Sequence, residues 1–178
     1  HLVEQWVEDI ELFNMLPTIG YSSSKQKNWK KRLEDDVLDF SIGVIDCFCF
    51  VTTNATYSSK FVSEQMAYLG KDTLLLVDEA HNFGSPNLRN KLYPNIEYRL
   101  ALSATLDRHG DEEGTECLKN YFGEKCIEYD LKRAIKEGKL TPYYYYPVVV
   151  YLDEDEMEQY RDISYRASKE CHKDKHGN

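Results

Sequence analysis

Three places in this chain set short polar residues directly after an apolar run: Thr52-Thr53-Asn54, Asp78-Glu79-Ala80-His81 and Ser103-Ala104-Thr105. The middle one carries the most chemistry. Two adjacent carboxylates at the end of a buried strand repel one another and lose hydration, so a compensating positive charge is required. A divalent metal with phosphate oxygens supplies it. In that arrangement Asp78 holds Mg2+, through water because Mg2+ gives up its hydration shell reluctantly. Glu79 then orients and deprotonates a water that attacks a γ-phosphorus. Taken alone, Ser103 and Thr105 read better as turn caps, and the bland reading of His81 is a structural histidine satisfied by backbone.

The elements that must position these residues follow from periodicity. Leu2, Trp6, Ile10 and Phe13 recur at helical spacing, and Pro17 ends that helix. Ser22-Ser23-Ser24 offers a cap for a helix at about 26–40 that begins basic and turns acidic, which reads as a solvated face or a phosphate-contact patch. Residues 44–53 (VIDCFCFVTT with its leading Val44) predict a buried strand and 58–69 a helix. Strands are expected at 73–77 and 98–102, with a short helix or turn at 85–92 between them. Acidic Asp111-Glu112-Glu113 opens a helix running to Tyr121, a favourable charge at a helix N-terminus. A brief strand at 126–129 and a helix at 131–136, stopped by Gly138, complete the series.

Strand–helix alternation with near-continuous apolar strands predicts an α/β fold: a mainly parallel sheet with helices on both faces. Ligands of such open sheets bind at the carboxyl ends of the strands, which is where the three polar clusters fall. Thr141-Pro142 breaks the pattern, and the β-rich run YYYYPVVVYL occupies residues 143–152. Four consecutive tyrosines in extended chain alternate between two faces, so at most two share a base-stacking platform, and packing at the domain junction is the favoured reading. The expected organisation is an incomplete first domain at 1–138, a hinge at 139–147 and the opening of a second domain at 148–178.

Composition narrows the function class. The 178 residues carry a formal net charge of −9, with 42% hydrophobic residues. Disorder along the whole chain is excluded by that apolar content, and a broadly basic, nucleic-acid-coating surface by the charge. Grip through a few hydroxyls and backbone N–H groups remains compatible with it. No apolar run reaches the ~18–20 residues of a membrane span. Five cysteines, an odd number without framework spacing, predict an intracellular protein, cytoplasmic or at the nucleoid. Cys171-His172 with His176 provides at most three ligands and is read against as a zinc site.

LLLVDEAH at residues 74–81, followed by LALSAT at 100–105, resembles motifs II and III of the superfamily 2 helicases and translocases. Leu2-Val3-x-Gln5-Trp6 resembles the helix after motif Ia, and Thr52-Thr53-Asn54 occupies the place of motif Ib. RLALSATLDRHGDEEG resembles the group of type III restriction subunits and excision-repair helicases, in which SATP is followed by Arg and Asp; here Leu106 stands where that pattern has proline.

The resemblance implies a RecA-like P-loop NTPase fold, truncated at both ends, and an ATP-dependent DNA helicase or translocase with ATP and Mg2+ as cofactors. It assigns Asp78 and Glu79 to metal binding and water activation, and His81, Ser103 and Thr105 to coupling between hydrolysis and nucleic acid. Thr52, Thr53 and Asn54 would touch the tracking strand. An RNA helicase of the same superfamily and a non-catalytic, helicase-like interaction module are the alternatives. No GxxxxGK(S/T) stretch occurs in the chain, so a phosphate cradle and its lysine are missing and the 178 residues alone are expected to be inactive.

Overall fold

Capping side chains start most of the helices, and they lie where the sequence has short polar residues ahead of an apolar pattern. The computed structural model describes residues 2–173. They fall into two compact units, His1–Cys126 and Ile127–Asn178.

The first unit runs α1 (Leu2–Glu11), β1 (Thr18–Gly20), α2 (Trp29–Ser41), β2 (Phe50–Thr52), α3 (Asn54–Tyr57), α4 (Lys60–Met66) and β3 (Leu74–Asp78). A 3-10 helix at Ala80–Gly84, α5 (Pro86–Arg89), β4 (Tyr98–Leu102) and α6 (Glu112–Phe122) follow. Thr53, Ser59 and Asp111 cap α3, α4 and α6 by accepting from the backbone N–H groups of Thr56, Val62 and Gly114. The second unit holds α7 (Leu131–Lys136), capped by Asp130, and α8 (Glu154–Lys173). At the start of α8 the Asp153 carboxylate accepts from the Glu156 N–H while the Glu156 carboxylate accepts from the Asp153 N–H, a reciprocal capping box.

The strands are parallel, as expected, in a mixed α/β arrangement, but they form two ladders rather than one sheet: β1 with β2, and β3 with β4. The expected strand at 44–53 shortens to Phe50–Thr52. Its partner β1 is only three residues long, bounded by Pro17 and the turn at Tyr21, and a ladder ends where its partner ends. Val44, outside the ladder, is exposed. Gly20 belongs to this ladder for a steric reason. A Cβ there would come within 2.5 Å of the Phe50 ring and 2.7 Å of the Trp29 ring.

The brief strand expected at 126–129 is not formed; no described strand lies alongside it, and Ile127 is exposed. Residues 143–152 likewise lack ladder partners. Tyr144 and Tyr146 stand with ring centroids 6.4 Å apart, the two-residue repeat of extended chain.

The core lies under α2, α4 and α6. Trp29, Leu33 and Val37 recur every four residues along α2 and meet Val62 and Met66 of α4, Phe83, Ile96 and Leu118. The basic and acidic residues of α2 are mostly exposed, and Lys31 pairs with Asp35 across one turn at 2.7 Å, so this side is a solvated face. One side of the β3–β4 ladder, with Leu75, Val77 and Ala101, faces the core. The other side does not follow the expectation of helices on both faces: Leu74 (57% exposed), Leu76, Tyr98 (54%) and Leu102 lie open along it. Their register, Leu74 opposite Tyr98 through Asp78 opposite Leu102, puts them in one continuous patch.

Candidate active site at the carboxyl edge of the β3–β4 ladder

Register builds this site. With Asp78 paired to Leu102, the next residues, Glu79 and Ser103, leave the same edge of the ladder side by side. Glu79 turns the chain from strand into the 3-10 helix with φ 49° and ψ 48°, the left-handed region that side chains with a Cβ avoid at a cost of roughly 1–2 kcal/mol. Asn82 holds that turn by donating to the Glu79 carbonyl from both its backbone N–H and its side-chain amide, each at 3.0 Å.

The Asp78 carboxylate is half-buried and has a donor on each oxygen: the Glu79 N–H on Oδ1 at 2.9 Å, and Trp6 Nε1 on Oδ2 at 3.1 Å. His81 Nδ1 lies 3.2 Å from Ser103 Oγ and 3.2 Å from Glu79 Oε2. Ser103 spends its one hydroxyl proton on the Thr105 carbonyl at 2.7 Å. Its oxygen must therefore accept from His81, and a carboxylate also only accepts. Nδ1 of His81 accordingly carries the hydrogen that bonds Ser103, with the Glu79 carboxylate beside the same nitrogen. Thr105 enters this chain through its carbonyl, and its side chain is exposed.

Behind the turn sits a clamp of two arginines on one aspartate, whose contacts spacing alone did not reveal. Arg108 Nε meets Asp111 Oδ2 at 2.7 Å, and its guanidinium also donates to the His81 carbonyl. Arg89 meets Asp111 Oδ1 at 2.7 Å and Glu113 at 3.0 Å, and donates to the Gly84 carbonyl. Both ends of the Ala80–Gly84 turn are thus tied to the N-terminus of α6. The Arg108 hydrogen bond, the Gly114 N–H and Arg89 hold the Asp111 carboxyl below its usual range. Close approach is possible because Gly84 faces Gly114; a Cβ on Gly114 would stand 2.7 Å from the Gly84 carbonyl oxygen. The one sequence signal for this clamp is the Arg108–Asp111 spacing after the SAT run.

Thr52, Thr53 and Asn54 sit at the carboxyl end of the other ladder. Thr52 Oγ1 donates to the Gly20 carbonyl at 2.5 Å, Thr53 caps α3, and Asn54 is exposed. No hydrogen bond or ion pair among the described residues joins them to Asp78 or Glu79. The Cys171, His172 and His176 side chains lie outside the described residues.

Among the described residues no group of three or more His, Cys, Asp or Glu side chains is arranged to hold a metal ion. Mg2+ does not require one: it binds through one or two carboxylates, several waters and phosphate oxygens of its ligand. Asp78 with neighbouring Glu79 fits that partial set. No family model matches this chain, and neither curated proteins nor solved structures gave a match.

Proposed function

We propose that this chain carries the metal-binding, water-activating and coupling residues of a nucleic-acid-dependent ATPase, a DNA helicase or translocase with a RecA-like fold. The observation that supports the reading is the bridge from Glu79 through His81 Nδ1 to Ser103 at the shared carboxyl edge. Bound Mg2+-ATP would supply the electrophilic γ-phosphorus and the charge that Asp78 and Glu79 face. Asp78 would hold the hydrated metal, its carboxylate oriented by two donors. Glu79, exposed on its left-handed turn, accepts the proton of the attacking water. His81 Nδ1, beside that carboxylate and bonded to Ser103, connects its state to Ser103 and, through the Thr105 carbonyl, to the loop after β4. Thr52, Thr53 and Asn54 belong to this reading as nucleic-acid contacts from the second ladder.

The phosphate-binding loop that the reaction needs has no counterpart in the 178 residues, so on this reading it would be supplied from outside them. An intracellular location belongs to the same reading. Cys47, Cys49, Cys117 and Cys126 are free thiols, and no described helix is long and apolar enough to cross a membrane. The test is ATP turnover by the complete protein without nucleic acid, with single- and double-stranded DNA, and with RNA. Stimulation by DNA supports the proposal, and stimulation by RNA alone moves it to the RNA helicases. The open apolar patch of Leu74, Leu76, Tyr98 and Leu102 favours a second reading, a non-catalytic interaction module. Absence of turnover under every condition would establish that one instead.

A further inference from the structure

Of the two donors on Asp78, only one is local. The Glu79 N–H belongs to the next residue, whereas Trp6 is 72 residues away, on α1. An indole N–H donates and never accepts, and a bond to an ionised carboxylate is of the stronger, charge-assisted kind. Core packing does not account for Trp6. It lies outside the buried core cluster, and the buried residue of α1 is Val3. Terminal carboxylate torsions are broad and only roughly two-fold. A single local donor would leave the Asp78 carboxylate free to swing; a second donor on the other oxygen removes that freedom.

We infer that Trp6 is a positioning residue for Asp78: its indole N–H fixes the carboxylate so that the remaining lone pairs present a ready seat for a hydrated divalent cation. The inference rests on the reading of Asp78 as the metal carboxylate. It adds that α1, through this bond, controls the metal site. Outer-sphere partners of this kind are worth about 10–100-fold in metal affinity. They act by limiting what the ligand must give up in freedom when the cation arrives.

The chain contains two tryptophans, Trp6 and Trp29, and Trp29 is buried in the core, so their indole N–H signals can be told apart in the 15N-labelled 178-residue protein. Asp78→Asn should move the Trp6 signal and leave that of Trp29 in place; an unmoved Trp6 signal would overturn the contact itself. Mn2+ alone then serves as the probe in place of Mg2+. It should broaden the Trp6 signal selectively, and Trp6→Phe should raise the Mn2+ dissociation constant, read from the free-ion electron-spin resonance, by roughly tenfold or more. Equal affinity in Trp6→Phe and wild type would leave Trp6 a neighbour rather than a positioning residue. No Mn2+ binding by the wild-type chain would also overturn the inference. Should Trp6→Phe lose the folded amide pattern, the affinity is compared in Trp6→His, which keeps a ring N–H and should retain part of it; full loss there counts against the inference. None of these outcomes depends on ATP turnover. A complete protein that hydrolyses ATP while Trp6→Phe binds Mn2+ normally would sink the inference and spare the ATPase reading; the converse pair of results would do the reverse.

Discussion

His81 Nδ1 is equidistant, at 3.2 Å, from Ser103 Oγ and Glu79 Oε2, so one ring nitrogen touches the residues that follow both strands of the β3–β4 ladder. The pair is part-exposed, and such contacts contribute little to folding stability. Its consequence is geometric. Any change in what Glu79 holds alters the charge beside the nitrogen that bonds Ser103.

Ser103→Ala and His81→Ala in the complete protein should therefore leave unstimulated ATP turnover within a few-fold of wild type. Stimulation by nucleic acid should fall about fivefold or more, the lower range of a site-to-site coupling. Turnover measured with and without DNA decides it. Equal stimulation in wild type and both variants would show that the bridge carries no signal.

Glu79→Gln removes the proton acceptor without removing volume. Turnover should fall by about 10²–10⁴, the contribution of a positioned general base, with nucleotide binding nearly unchanged. Asp78→Ala should in addition weaken Mg2+-dependent nucleotide binding. Titration with a fluorescent nucleotide beside steady-state turnover separates the two, and near-wild-type turnover in Glu79→Gln would place the water-activating group elsewhere.

Asp111 makes acid stability a test of the arginine clamp. Its carboxyl is held below the usual range, first by the Arg108 hydrogen bond. A depressed carboxyl stabilises the fold above the ordinary carboxyl value of about 4 and loses that contribution as pH falls further. Asp111→Asn should lower the melting temperature at pH 7 and show a smaller drop on acidification than wild type. Parallel melting curves of the two proteins from pH 7 downward would be the contrary result.

Leu118 is fully buried where α6 meets the core. Leu118→Ala should cost about 2–5 kcal/mol, transfer and cavity together, a large share of the ~5–15 kcal/mol available to a domain. Urea denaturation of the two chains measures it.

Concentration-dependent self-association is expected of the 178-residue chain through the open patch on β3 and β4, since exposed contiguous apolar surface drives contact. Leu76→Glu with Tyr98→Lys should abolish it in light scattering without changing the circular dichroism.

Much of this molecule is legible along the chain. The Asp78-Glu79 and Ser103-Ala104-Thr105 clusters follow apolar runs, and local chemistry suffices to end those strands there: acidic and hydroxyl residues stop the run. Helix starts at Asp111 and Asp130 are equally local, because a cap depends on a side chain and an N–H three residues away. What tertiary structure alone decided is everything that depends on a partner distant in sequence. Ladder length is one case: residues 44–49 have strand chemistry but lie beyond the ladder with β1. Register is another, since pairing Asp78 with Leu102 rather than a neighbour is what brings His81 to Ser103. The hydrogen on His81 Nδ1, the Arg89–Asp111 pair and the Trp6–Asp78 bond complete the set. Each joins residues 22 or 72 positions apart, and periodicity reports which face a residue occupies, never which residue it will meet there.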